Sequence, residues 1–260
     1  MSADLMLGNA DSRHVDALHP SPNIEPRRDA SASLLILHYT GMTDCAKAID
    51  WLARPESKVS CHYVVDCDGT ITQMVAERAR AWHAGVSVWE GVVDINSRSI
   101  GIEIHNPGHE GGYPDFPQAQ MAAVARLGLD IVTRNAIAPW HVLAHSDVAP
   151  ARKIDPGEKF DWAWLAGEGV GLWVTPEPVG PLIGGVSRQP DANTMAHVQG
   201  LLAGYGYGIA TTGAFDAQTR TVLRAFQRHF RPARVDGLAD PSTIGTLERV
   251  VAARAGLAGS

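Results

Sequence analysis

The chain has 260 residues, 45% of them apolar and 19% charged, with a net charge of −6 at pH 7. This is ordinary for a globular protein with one large domain and a small one, and the absence of any 18-residue apolar run excludes a membrane span. Residues 1–180 hold 14 Lys+Arg against 23 Asp+Glu, and residues 181–260 hold 8 Arg, no Lys and 5 acids, so an acidic body argues against nucleic acid as a partner while the mildly basic tail is only a weak signal for an anionic polymer.

In chain order, residues 1–30 carry Asp, Asn, Arg and His where a secretory signal would place an apolar stretch. A cytoplasmic location is therefore expected, with the periplasm as the alternative if a signal has been removed. The run S-L-L-I-L-H-Y (33–39) reads as a strand buried on both faces. Residues 45–53 read as a helix capped by Asp44, with Ala46, Ile49 and Leu52 on one side. Strands at 62–66 and 70–75 flank the hairpin signal Asp68-Gly69. S-I-G-I-E-I-H (99–105) alternates strictly, which puts Ile100, Ile102 and Ile104 on one face and Gly101 and Glu103 on the other. A long helix follows at 117–133, with Pro117 suited to its first turn, and then a short strand at 142–145. The order predicts an α/β fold, a central mixed β-sheet flanked by helices. Cys45, Cys61 and Cys67 are too few and too irregular for a disulfide framework and read as free, buried thiols.

The segment 174–185 (V-T-P-E-P-V-G-P-L-I-G-G) holds three prolines and three glycines and reads as a linker. Beyond it, helical patterns at 194–202, 217–230 and 242–253, the last two capped by Asp216 and Asp240, predict a small three-helix bundle. The expected division is an extension at 1–20, a large domain at 21–173, the linker at 174–185 and the bundle at 186–260.

Two histidines stand where a polar side chain needs a reason. His38 ends the most apolar strand, and His145 ends another short one. Ten residues after His145, the turn Lys153-Ile154-Asp155-Pro156-Gly157 can return a carboxylate to the same strand ends. Two histidines and a carboxylate form a catalytic zinc set with one position left open. Spacing alone leaves a second reading, in which these are ordinary hydrogen-bonded residues at strand ends, Glu103 a solvent-facing acid and Lys153 a solvated loop lysine.

Five blocks in sequence add to this: L-I-L-H-Y-T-G (35–41), V-S-C-H-Y-V-V-D (59–66), A-W-H-A-G (81–85), S-I-G-I-E-I-H-N (99–106) and A-H-S-D-V-A-P-A-R-K-I-D-P-G (144–157). Over residues 20–165 the chain resembles the type 2 N-acetylmuramoyl-L-alanine amidases, which share their fold with animal peptidoglycan recognition proteins. The resemblance implies one zinc ion held by His38, His145 and Asp155. It gives Glu103 the role of catalytic acid–base and Lys153 that of oxyanion stabiliser. Trp82 and His83 fall in a block beside the substrate groove, and Asn106 and Arg152 are candidate substrate contacts. His62 reads as structural, near the site. Ala151 and Ile154 depart from the family pattern in ways that bear on loop shape. Residues 213–230 and 235–247 resemble a peptidoglycan-binding domain type 1, implying a wall-binding module; the alternative is a scaffold that packs on the large domain. The implied activity is hydrolysis of the lactyl amide between (anhydro-)N-acetylmuramic acid and L-alanine of peptidoglycan or muropeptides, in recycling or turnover. The rivals are a non-catalytic peptidoglycan-binding protein and a zinc peptidase acting within the stem peptide. Oligomeric state is left open.

Overall fold

The computed structural model describes residues 5–28, 31–180 and 190–259. Residues 1–4 of the expected extension, 181–185 of the expected linker, 186–189 at the head of the expected bundle and residue 260 at its end lie outside these.

Eight strands and eight α-helices make up the described fold. The strands are β1 (Ala17–Leu18), β2 (Ile24–Pro26), β3 (Leu34–Tyr39), β4 (Tyr63–Val65), β5 (Ile71–Gln73), β6 (Ala79–Ala81), β7 (Ser99–Ile104) and β8 (Val142–Ala144). The helices are α1 (Cys45–Leu52), α2 (Ile95–Arg98), α3 (Gln118–Arg134), α4 (His145–Val148), α5 (Trp162–Gly167), α6 (Ala192–Tyr205), α7 (Ala217–Phe230) and α8 (Pro241–Ala258). Six strands form a mixed sheet in the order β1-β5-β4-β7-β3-β8, parallel except for the β4–β5 pair, and β2 and β6 form a small antiparallel ribbon. The expected mixed sheet with helices is thus the observed one. Residues 1–20, read from sequence as an extension, supply β1 at the sheet edge.

The two faces of the sheet are packed differently. Leu35, Leu37, Tyr63, Val65, Ile100, Ile102 and Ile104 point to one face and are buried under Val124, Leu127 and Ile131 of α3. Alternation sends Leu34, Ile36 and Leu143 to the other face, where they meet Val222, Phe226 and Phe230 of α7. Each fully buried aliphatic or aromatic side chain is worth roughly 1.5–3 kcal/mol, so this second face joins the bundle to the sheet as one core. The three bundle helices start at aspartate caps: Asp191, Asp216 and Asp240 accept the backbone N–H of Thr194, Thr219 and Thr243, each worth about 1 kcal/mol. Residues 174–180, the described part of the expected linker, lie along α8: Glu177 N–H donates to Thr246 Oγ1 and Ser242 Oγ to Glu177 O.

Cys45 and Cys61 are buried free thiols, but Cys67 is exposed. It sits in the β4–β5 hairpin turn, which faces solvent, so the expectation of three buried thiols fails there.

Candidate functional site

The bundle covers only part of the second face. Toward the C-terminal ends of the parallel strands the same face turns polar. His38 on β3 is paired in register with Glu103 on β7, so both side chains leave the sheet on the same side. Leu37 pairs with Ala144, and His145 follows immediately as the first residue of α4. Asp155 returns on the loop after α4, where its backbone carbonyl accepts from Ser146 N–H.

Three acceptor atoms converge there. His38 Nδ1 and His145 Nδ1 are 2.8 Å apart, and Asp155 Oδ2 lies 3.0 Å from His145 Nδ1 and 3.2 Å from His38 Nδ1. All three residues are buried. The surrounding hydrogen bonds fix which nitrogens carry protons. His145 Nε2 is 3.2 Å from Ala84 O, an acceptor, so that nitrogen bears the hydrogen and Nδ1 presents a lone pair. Ser99 Oγ donates to Ile95 O at 2.7 Å, which leaves it to accept from His83 Nε2 at 3.0 Å. His83 Nδ1 then accepts from His38 Nε2 at 2.9 Å, and His38 Nδ1 is also a lone pair. This assignment is the one that gives every short contact in the relay a donor. With this assignment two imidazole lone pairs and a carboxylate oxygen face one another, a set that could hold a cation, and the outward N–H groups are oriented as metal-bound imidazoles require.

Electrostatics agree with this. Burial, with His145 beside it, lowers the His38 pKa to about 4, so the ring is neutral at ordinary pH. Burial raises the Asp155 carboxyl, and what holds it well below its usual range is positive charge at the His145 and His38 nitrogens that face it, the charge a bound cation would supply. Glu103 is pushed well above its usual range by burial and by the Asp155 carboxylate, with Lys153 opposing. Its Oε2 is buried with no hydrogen-bond partner. An orphaned carboxyl oxygen beside three converging polar side chains marks a candidate place for a proton in transit.

Trp82, His83, Glu103, His145, Lys153 and Asp155 line a groove of about 350 Å³, with Trp51, Met42 and Val59 on its walls. Gly101 shows why β7 carries a glycine: a Cβ there would lie 2.6 Å from the His83 ring. His62 accepts Gly101 N–H at Nδ1 and contacts Ala79 O through Nε2, a brace between strands.

Three of the expected substrate contacts are engaged within the protein. His83 lines the groove, and both its ring nitrogens are engaged, by His38 and Ser99. Asn106 is buried and spent on its own loop, donating to Pro114 O and accepting Gly108 N–H. The Arg152 guanidinium is held by Ala84 O and Val86 O, outside the groove. Sequence reasoning missed Ser99 and Trp51. A tryptophan 44% exposed on a helix is an anomaly its position off the apolar side of α1 could have flagged, whereas Ser99 has no local signal.

Comparisons with known proteins point the same way. Residues 28–158 match the family described as N-acetylmuramoyl-L-alanine amidase, and residues 191–247 match a peptidoglycan binding domain. The chain is 35% identical over 245 residues to the N-acetylmuramoyl-L-alanine amidase AmiD of Escherichia coli K12, covering 88% of this chain and 87% of that protein. It is 34% identical over 172 residues to the 1,6-anhydro-N-acetylmuramyl-L-alanine amidase AmpD of Citrobacter freundii, covering 59% of this chain and 88% of the relative. The solved complex of E. coli AmiD with anhydro-N-acetylmuramic acid-L-Ala-D-γ-Glu-L-Lys superposes with a TM-score of 0.72 at 31% identity, covering 96% of this chain and 94% of that one.

Proposed function

This chain belongs to the N-acetylmuramoyl-L-alanine amidase family, and from that premise we propose that His38, His145 and Asp155 hold one zinc ion, with Glu103 and Lys153 as the catalytic pair acting on the lactyl amide between (anhydro-)N-acetylmuramic acid and L-alanine. The observation that carries this is the convergence of three lone pairs beside the unpartnered Glu103 oxygen. Bound zinc supplies a Lewis acid and lowers the pKa of water toward about 7. Glu103 takes the proton of the attacking water at Oε2. The new C–O bond forms at the lactyl carbonyl, whose oxygen gathers charge within reach of the Lys153 ammonium. Glu103 then delivers its proton to the nitrogen as the C–N bond breaks. The products are a muramic carboxylate and a peptide with a free L-alanine amine. Trp51 and Trp82 offer aromatic walls for the glycan or peptide.

We assign the catalytic unit to residues 21–173 and the wall-binding unit to 186–260, joined through 174–185. Binding to peptidoglycan by the second unit would raise the local substrate concentration. Among the described residues no helix is long and apolar enough to cross a membrane.

The test is mass spectrometry of products from a soluble anhydro-muropeptide and from intact sacculi, with and without a chelator. Release of peptide beginning at L-alanine, abolished by chelation, is expected; cleavage within the stem peptide would identify a peptidase instead. Glu103→Gln should retain stoichiometric zinc yet lose about 10²–10⁴ in kcat. Full turnover in that variant removes Glu103 from the proton-carrying role.

A further inference from the structure

α4 is one turn long and starts at His145. So short a helix has too few internal hydrogen bonds to hold its own position. What fixes it is Asp147, which is 1% exposed. One donor is local: Ala144 N–H reaches Asp147 Oδ2 at 2.8 Å. The other two come from the C-terminal bundle. Tyr207 Oη, in the loop after α6, donates to Oδ1 at 2.7 Å, and His229 Nδ1, in the last turn of α7, to Oδ2 at 2.7 Å. Both donors are themselves locked. The His229 ring is stacked between Trp162 and Phe230 at 3.8 and 3.9 Å. Tyr207 forms a β-bridge with Trp89, and the rings meet edge-on at 5.0 Å. Gly206 allows this approach, since a Cβ there would lie 2.5 Å from the Trp89 ring. Burial and the Asp147 carboxylate hold the Tyr207 phenol well above its ordinary pKa, so it remains a donor.

We propose that the bundle is part of the catalytic centre: Tyr207 and His229 are positioning residues that fix Asp147 and, through Ala144 and α4, the Nδ1 of His145. The proposal rests on the reading of His145 as a metal ligand. A buried carboxylate that loses one of three donors is left short of a partner, and it relaxes by shifting the turn that carries it. A ligand must be held to within about 0.5 Å, so a modest shift of α4 costs metal affinity. A module that served only as a tether would affect attack on the insoluble wall and leave zinc binding and soluble fragments alone.

The experiment uses the full chain. Tyr207→Phe removes one oxygen and keeps the ring; His229→Gln tests the second donor. Zinc affinity is measured by competition with a chromogenic chelator, and amide exchange is followed at residues 142–148, with near-UV circular dichroism to verify folding. Both variants are expected to bind zinc roughly tenfold more weakly, to exchange faster at 144–148, and to lose turnover on a soluble anhydro-muropeptide. Wild-type zinc affinity in folded Tyr207→Phe and in His229→Gln would overturn the brace while leaving the ligand assignment intact. His145→Ala is run alongside: retention of stoichiometric zinc there would overturn the ligand assignment, and the brace with it.

Discussion

On one side of α4, Asp155 Oδ2 lies 3.0 Å from His145 Nδ1 and 3.2 Å from His38 Nδ1; on the other side, Asp147 takes 2.7 Å contacts from Tyr207 and His229 and a 2.8 Å contact from Ala144. Both carboxylates are buried, both touch histidine, and they are only eight positions apart in the sequence. What separates them is where the hydrogens are. Around Asp147 every contact has a donor. Around Asp155 the imidazole N–H groups are turned outward, to Ala84 O and to the His83 relay, and three lone pairs face inward. Residue type alone does not separate the two clusters; the hydrogen-bond inventory is what supports reading one as a ligand set and the other as a strut.

The strongest way to break this comparison is to remove a ligand from the first cluster. His145→Ala should drop zinc content well below one per chain. The affinity loss should exceed the roughly 100-fold that follows from losing a partner of a ligand, and turnover should fall to background. Metal analysis of the purified variant checks this; a full complement of zinc would mean that the inward lone pairs are not ligands. Next in size, Lys153→Ala tests a group that belongs to the Asp155 side without being a ligand. It should cost about 10²–10³ in kcat with zinc affinity unchanged. Steady-state kinetics paired with chelator competition separate the two quantities, and a fall in zinc affinity matching the fall in kcat would place Lys153 in the metal-holding structure instead.

The contrast also marks what a sequence can and cannot carry. β3 was legible because L-L-I-L ahead of His38 is a continuous apolar run, as in a strand buried on both faces. α7 was legible to its ends, Ala217 to Phe230, because Asp216 caps it and its apolar spacing is strict. His38, His145 and Asp155 stood out at strand ends and in family blocks. β1 left no trace: its two residues are exposed and held by backbone pairing to β5. Asp147, Tyr207 and His229 were invisible for a different reason. They are 60 and 82 positions apart in sequence, and only the closure of the bundle onto the sheet brings them together. Beside the Lys153-Asp155 turn Arg152 looks free in the sequence, and the backbone carbonyls that take up its guanidinium come from a segment more than 60 positions away.

Ser99 gives the smallest and most selective perturbation. Its hydroxyl touches no ligand; it passes a hydrogen-bond direction from Ile95 O through His83 to His38. Ser99→Ala leaves the sheet register and the groove unchanged but frees the His83 ring to exist in either tautomer. In the wrong tautomer His83 Nδ1 carries the hydrogen, His38 must offer Nε2 as acceptor, and its Nδ1 becomes protonated. The lone pair facing Asp155 and His145 is then lost for that fraction of molecules. Zinc should bind about tenfold more weakly, while zinc-saturated enzyme should turn over near the wild-type rate, since Glu103 and Lys153 are untouched. Ser99→Thr keeps the hydroxyl and should restore the affinity. Equal zinc affinity in Ser99→Ala and wild type would show that tautomer control on the Asp155 side is not needed to distinguish it from the Asp147 side.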